Sequence, residues 1–500
     1  MVFLAIRHRL GGRFGYTLDD PYIHLALAEN LVHGHYGINP TEFSSPSSSI
    51  LWPMLLMPCA GTPFHVYVPL VWNLLFGSIA AFLIGGTLRG RPAQPDRSGS
   101  LSPSRQLLTA VLLIFAGNLV GLTFVGMEHL LQVLLAICCA LGMMEALDGR
   151  PVPRWCLAAA VLAPMVRYED LALTLAVCCA LAGLRQWKTA AAVLALSLAP
   201  LLGFAAFLRH LGLPMLPMSV LVKGHAYAGG ALAARLLQQL RAILLEAVSN
   251  LEYFAVLALF VFFVTQARSA STRPQRFVYL GAALLGGLQL LIGRFGWFYR
   301  YEAYAVIFLA LLFVRVLSDK PHLRFSRLIV LLVLCAEPYV EAAALSPAVA
   351  GEVYTQQYQM HRFVTDFYHG DYAVNDLGLT SFQRTPGAYV LDVYGLASYE
   401  ASRQPDKSAV WLQGVVARHN VPLAMLYPEW FHIPPAWTAV ARMCQPAKTT
   451  IMGARCVVFY STTPQAEPSI RADLHRFAPT LPAQVHFTFD PPLPNYTGQK

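Results

Sequence analysis

The sequence predicts a polytopic α-helical membrane protein of about ten spans that carries a small extracytoplasmic α/β domain at its C-terminal end. Hydrophobic residues fill 56% of the 500 positions and charged residues only 13%, with a mean hydropathy of +0.50. So few charges cannot cover the surface of a soluble globule of this length. Ten apolar runs recur, at approximately 64–88, 107–125, 129–147, 155–166, 169–184, 189–208, 250–267, 277–293, 302–317 and 328–345, two of them short. After Ser346 the runs shrink to strand length and turn residues separate them, as at Tyr389–Val393, Pro422–Tyr427 and Cys456–Tyr460. Two domains are therefore expected: residues 1–345 in the membrane, with a polar outer loop at 14–63, and residues 346–500 outside it.

The amino terminus is atypical. Met1–Ile6 is apolar, but Arg7, His8, Arg9 and Arg13 follow, short of the roughly 20 apolar residues of a spanning helix. It reads neither as a signal peptide nor as a span. Either the loop that follows is tethered only by later segments, or the start has been placed late and a first helix is missing.

Cations set the orientation. Fifteen Lys and Arg residues fall in alternate connections, among them Arg89, Arg150, Lys188, Arg273 and Lys320, whereas Phe14–Pro63 contains none. The positive-inside rule then puts the first loop outside the cytoplasm, and ten strictly alternating crossings return the chain to that side by Leu345. The Pro-, Ser- and Arg-rich segment Arg91–Ser104 reads as a solvated cytoplasmic loop, and the end with Pro491, Pro492 and Pro494 as a loose terminus. The net charge of +9 does not imply nucleic acid, because the chain beyond Ser346 balances 11 basic against 11 acidic residues. The excess lies in the apolar part, where membrane lipids are the surroundings.

Seven of the nine cysteines sit in or beside apolar runs and read as small hydrophobes. Cys444 and Cys456 lie in the outer tail, where disulfides persist, and are expected to pair.

The outer loop Tyr16–Pro58 is the candidate catalytic segment, and it opens on Asp19 and Asp20. A carboxylate just outside a bilayer can take the proton of an incoming hydroxyl. Asp20 before Pro21 also fits a structural N-cap with proline at the first helical position. Further acidic groups stand at outer helix ends: Glu128 in GMEH, and Glu169 with Asp170 in RYED. Such edge carboxylates usually mean function or pairing, and for Glu169 a local ion pair with Arg167 is the plain alternative. Lys223 and Arg300 are cations on the outer side, suited to a phosphate or, for Arg300 beside Trp297 and Tyr299, to lipid headgroups at an aromatic belt. His33 and His35 fit turn chemistry better than a metal site. Asp376 and Asp392, at or near strand ends, either face the site or serve as turn residues.

These features together resemble the GT-C superfamily of integral-membrane glycosyltransferases. The resemblance is carried by LDDPYIHLALAENLVHGHYGIN, SSPSSSILWPMLL, the GMEH, RYED and FYRYEAY turns, and the tail with VNDLG and VLDVYGLAS. It extends from Tyr16 to about Ser398 and is nearest to arabinofuranosyltransferases of cell-wall assembly, with mannosyl and aminoarabinosyl transferases similar at this level. The helix that family members carry before the acidic loop is absent here.

The resemblance implies a polyprenyl-phosphate-linked sugar donor, a glycan or lipid acceptor, and an inverting displacement on the outer face of the cytoplasmic (inner) membrane. It implies Asp19 as general base with Asp20 in support, Lys223 and Arg300 at the leaving phosphate, and Glu128, Arg167 and Glu169 around the sugar. Some superfamily members use a divalent ion; one carboxylate pair without further ligands favours no metal and no other cofactor. Two other classes stay open: a secondary transporter with ionisable residues along a mid-membrane path, and a non-catalytic envelope scaffold. Charges at helix ends, no inverted repeat and a folded outer domain argue against the transporter.

Overall fold

The structure, a computed structural model, describes every residue except 89–101, 225–231, 319–324, 405, 446–449, 452 and 490–500, and no side chain of 223–240. The expected loose end at Pro491–Pro494 and most of the expected loop at Arg91–Ser104 lie outside the described residues.

The chain starts with α1 (Val2–Arg9), which lies along the last spanning helix. After it α2 (Asp20–Val32) carries the acidic pair, and α3 (Leu51–Leu55) ends the serine run. On α2 every residue from Pro21 to Ala28 is buried, so this helix has no solvent face over its first two turns. The helical half then continues as α4 (Val68–Leu88), α5 (Pro103–Ala116), α6 (Leu119–Val125), α7 (His129–Leu147), α8 (Arg154–Val166) and α9 (Leu171–Gly183). It is completed by α10 (Trp187–His210), α11 (Met218–Gly224), α12 (Leu232–Ser249), α13 (Leu251–Arg268), α14 (Arg273–Ile292), α15 (Ala303–Ser318) and α16 (Phe325–Thr355).

Among the described residues, seven helical stretches are long and apolar enough to cross a membrane: 65–88, 103–125, 129–147, 187–210, 251–268, 273–292 and 325–368. The chain is a multi-pass membrane protein. The other three expected runs are shorter helices. A 13-residue helix such as α8 or α9 is only about 20 Å long, against the roughly 30 Å of a hydrocarbon core. In α15 every residue from Ala303 to Val314 is buried. Together with the largely buried α7 it forms the centre of the bundle, while α4 and α10 expose Phe82, Leu196 and Leu202 on their outer faces.

The expected domain boundary at 345/346 falls inside α16, which runs on to Thr355. Hydropathy falls there, but Val349, Ala350 and Val353 keep a buried stripe, so the helix continues as a stalk. From it α17 (Gln357–Phe363) leads into a six-stranded mixed sheet.

The strands are β1 (Tyr372–Val374), β2 (Val390–Asp392), β3 (Leu423–Leu426), β4 (Thr438–Cys444), β5 (Cys456–Ser461) and β6 (His486–Phe489), in the spatial order β2-β1-β3-β5-β4-β6. β1 runs parallel to both β2 and β3; the other pairings are antiparallel. The three parallel strands are buried throughout, as strands covered on both faces must be. A short helix, α18 (Gly378–Ser381), follows β1 and packs on α2. The connection after β1 leads to β2 on one side and the connection after β2 crosses to β3 on the other, so the strand order reverses beside β1, where open α/β sheets form a crevice at the carboxyl ends.

At the far edge Cys444 lies opposite Cys456 in the β4–β5 register, and a disulfide joins them. Peptide mapping without reductant is expected to recover these two cysteines in one cross-linked fragment, with the other seven alkylated. Alkylation of both in unreduced protein removes the bond.

Candidate active site

Four stretches distant in sequence meet where the helical half touches the sheet: the start of α2, the turns before α7 and α9, and the turn before α15. Each functional side chain stands at a helix end, where backbone groups are already unpaired and polar company is needed.

The acidic pair comes first. Asp19 is the N-cap residue of α2, yet its side chain makes no capping bond. Instead the Leu379 N–H, from α18, donates to Asp19 Oδ1 at 2.8 Å. Gly378 is required for this approach, since a Cβ there would lie 2.1 Å from the Asp19 carbonyl oxygen and 2.2 Å from Oδ2. The alternative of a structural cap at Asp20 is corrected: the helix begins at Asp20 itself, with Pro21 at its second position. Asp20 Oδ2 accepts from Arg300 Nη2 at 2.6 Å.

Arg300 is 1% exposed and also donates through Nη2 to the Tyr301 hydroxyl at 2.9 Å. Its Nε and Nη1 have no acceptor among the described residues. A buried guanidinium with two idle donors is costly unless an anion completes it.

Tyr301 continues the chain of contacts. The Arg300 guanidinium lies 4.9 Å and the Arg167 guanidinium 5.3 Å from its ring centroid. Arg167 donates through Nη1 to Glu128 Oε1 at 2.7 Å and through Nε to Glu169. The reading of Arg167 and Glu169 as a purely local ion pair is therefore too narrow, because the same guanidinium crosses to the turn before α7. Beside it Gln132 donates to Asp170 Oδ1 at 2.7 Å. His24 approaches the same carboxylate, its Nε2 4.0 Å from Glu128 Oε2, while its Nδ1 is 3.1 Å from Ser47 Oγ.

The sheet supplies the opposite wall. Asp376 stands beyond the carboxyl end of β1, in the crevice between β2 and β3, and its Oδ2 accepts from Gln357 at 2.6 Å and from the Tyr427 hydroxyl at 2.7 Å. Burial pushes the Asp19 carboxyl well above the usual carboxylate range, and the charges of Asp376 and Asp20 push it further, against the Leu379 and Gly378 N–H groups. Burial likewise raises Asp376, although Gln357 and Tyr427 pull it down. Two facing carboxyls that both resist ionisation are a place to keep or accept a proton.

Of the residues singled out from sequence, Asp19, Asp20, Glu128, Arg167, Glu169 and Arg300 come together here. The side chain of Lys223, in α11, lies outside the described residues. Asp392 is a turn residue: it accepts the Tyr394, Gly395 and Ala397 N–H groups. Tyr301, Gln132, Gln357 and Tyr427 escaped sequence reasoning. The first was visible as one of four aromatics around Arg300, but nothing distinguished it from the rest of the belt. His35 bonds within its own loop, to the Asn39 and Glu42 carbonyls. Among the described residues no group of three or more His, Cys, Asp or Glu side chains is disposed to hold a metal ion.

No curated protein matches the chain. A Domain of unknown function (DUF8728) matches residues 348–460. Among solved structures, the chain is similar to ArnT from Cupriavidus metallidurans in the apo state, at 12% identity and a TM-score of 0.44, covering 92% of this chain and 96% of that one. It is also similar to the Archaeoglobus fulgidus oligosaccharyltransferase tethered with an acceptor peptide containing the NVT sequon via a disulfide bond, at 12% identity and a TM-score of 0.37, covering 95% and 71%.

Two measurements check the geometry. Gly378→Ala forces α18 off Asp19 and is expected to destabilise by about 1–3 kcal/mol, the usual cost of overpacking, read as a lower thermal midpoint; an unchanged midpoint removes the contact. A carboxyl with a raised native pKa favours the fold below its unfolded value of about 3.9, and that contribution is lost as pH rises through the native value. Asp19→Asn is therefore expected to be more heat-stable than wild type at neutral pH, with a gap that narrows toward pH 4. A gap independent of pH contradicts the raised value.

Proposed function

We propose that the chain is a membrane glycosyltransferase that moves a sugar from a polyprenyl-phosphate carrier to a hydroxyl of an envelope glycan or lipid, on the outer face of the cytoplasmic membrane. The observation that carries this reading is that Asp19, a carboxyl with raised proton affinity, is the chain neighbour of Asp20, which holds the buried Arg300 guanidinium whose Nε and Nη1 have no acceptor among the described residues. One group suits proton acceptance and the other suits an anion. Both stand where apolar helices end, as a lipid-linked phosphate requires.

The reaction follows from these roles. The acceptor oxygen attacks the anomeric carbon and forms the new glycosidic bond, while the bond from that carbon to the phosphate oxygen breaks on the opposite face. The configuration inverts. The acceptor proton passes to Asp19, and the polyprenyl phosphate leaves with the bonding electron pair. Negative charge grows on that phosphate, and Arg300, already oriented by Asp20 and Tyr301, meets it without reorganising. Arg167, fixed between Glu128 and Glu169, shapes the sugar side of the pocket; Lys223 is assigned a supporting contact to the phosphate. Asp376 faces Asp19 and keeps its proton affinity high.

The positions of the charged groups favour this over a transporter. Asp20, Glu128, Arg167 and Arg300 all stand at helix ends, whereas a solute path needs ionisable groups along the middle of the spans. We assign no metal to the reaction, so a chelator is expected to leave the rate unchanged.

Mass spectrometry of envelope glycans and polyprenyl-phosphate sugars from a deletion strain tests the proposal. A lipid-linked sugar is expected to accumulate and a glycan to lose the same sugar. Wild type is expected to restore both, and Asp19→Asn, at equal protein level, neither. Full restoration by Asp19→Asn refutes the base, and two unchanged pools refute the transferase.

A further inference from the structure

We infer that Glu302 and Asn118 are positioning residues that hold a four-residue left-handed turn, Gly296–Tyr299, and thereby aim Arg300 into the site. The inference rests on the reading of Arg300 as the group that holds the leaving phosphate.

The turn is unusual. Gly296, Trp297, Phe298 and Tyr299 have φ of 75°, 47°, 64° and 54°, one complete left-handed turn in which three of the four residues are aromatic. Only glycine adopts this region freely; for bulky L-residues the Cβ crowds the following carbonyl oxygen, and successive residues compound the strain. Side-chain burial accounts for it only in part, since Phe298 is buried but Trp297 is 52% exposed.

Two buried polar groups clamp the turn from outside. At its start the Gly296 N–H donates to Glu302 Oε2 at 3.0 Å. At its end Asn118 Nδ2 donates to the Tyr299 carbonyl at 2.9 Å. Both clamping residues are buried, and Asn118 itself has φ 51°, at the break between α5 and α6. The turn closes on itself through the Arg300 N–H, which donates to the Gly296 carbonyl at 3.3 Å. Arg300 is the first residue beyond the left-handed stretch, so the direction in which its side chain leaves the backbone depends on the hand of the turn. If the clamps are lost, the aromatic residues relax toward right-handed or extended conformations and the guanidinium leaves Asp20. Strain of this kind persists where surrounding structure over-determines it, and here the clamped residue is one the site uses.

The test uses full-length protein in detergent, with two readouts. The first is binding of farnesyl monophosphate, with farnesol and inorganic phosphate as controls. Glu302→Ala and Asn118→Gly, the latter keeping the left-handed position without the side chain, are expected to weaken binding about ten-fold, toward the level of Arg300→Ala. Glu302→Gln preserves the acceptor and is expected to stay near wild type. Trp297→Gly, which relieves the strain, is expected to restore binding to Glu302→Ala. The second readout is a thermal double-mutant cycle. Arg300→Ala is expected to lower the midpoint in the wild-type background and to have little effect beside Glu302→Ala.

Wild-type binding by Glu302→Ala and Asn118→Gly, or additive midpoints in the cycle, overturns the inference and leaves the transferase reading intact. A non-additive cycle in a protein that does not bind farnesyl monophosphate supports the positioning role and overturns the phosphate assignment.

Discussion

The ion pair between Asp20 and Arg300 joins points 280 residues apart, and the charged core of the protein depends on it. The arginine side chain is 1% exposed and the aspartate 25%, so the pair sits in a medium that strips most of the hydration from the cation. Such a pair adds little net stability, because desolvation offsets the Coulomb attraction, but removal of one partner costs about 3–5 kcal/mol. The first loop and the turn before α15 are thus committed to each other. Tyr301 extends the commitment: with Arg300 and Arg167 on its ring, it couples the Asp20 pair to the Glu128 and Glu169 pairs. One connected set of charges thereby spans the turns before α2, α7, α9 and α15.

The C-terminal domain belongs to the same arrangement. Its β2-β1-β3 order opens a crevice at the carboxyl end of β1, the position where open α/β sheets receive ligands. Here a carboxylate of the membrane half lies against α18, the short helix that follows β1. Asp19 rests on the Leu379 N–H, faces Asp376, and is approached so closely by Gly378 that no side chain fits between them. The proton affinity of Asp19 is consequently a joint property of both halves. Neither the bundle nor the sheet alone would give it.

Much of this was legible in the sequence, within a limit set by distance along the chain. Apolar helices followed from hydropathy, Asp19 and Asp20 stood out as the acidic pair opening a polar outer loop, and Glu128, Glu169 and Arg300 as charges at the outer ends of apolar runs. Their convergence did not, because helix packing rather than local pattern decides which ends meet. The stalk was hidden because α16 loses hydropathy at Ser346 but not its 3.6-residue stripe. Asp376 was ambiguous because β1 is three residues long, and a strand so short does not reveal its neighbours. The turn at Gly296–Tyr299 ran directly against propensity: aromatic residues predict extended structure or a membrane belt, not a left-handed turn.

Several departures from local rules lie around the site. Asp19 occupies an N-cap without capping, two half-buried carboxyls both have raised proton affinity, a buried guanidinium keeps two donors idle, and three aromatic residues wind left-handed. Other elements follow local rules: Thr272 and Gln275 close a full capping box on α14, and Ser398 caps its helix by accepting the Ala401 N–H. Sequences that fold are consistent across levels, and the exceptions concentrate where function demands them. Buried polar atoms with no partner among the described residues also occur elsewhere, at Asn73, Ser219 and Arg442, and left-handed residues at Cys59, Arg185 and Asn420, but at Arg300 the two kinds of departure adjoin in one residue and the turn before it. In the reaction proposed above, Asp19 and Arg300 divide the work at this junction, the first meeting the acceptor hydroxyl and the second the leaving phosphate.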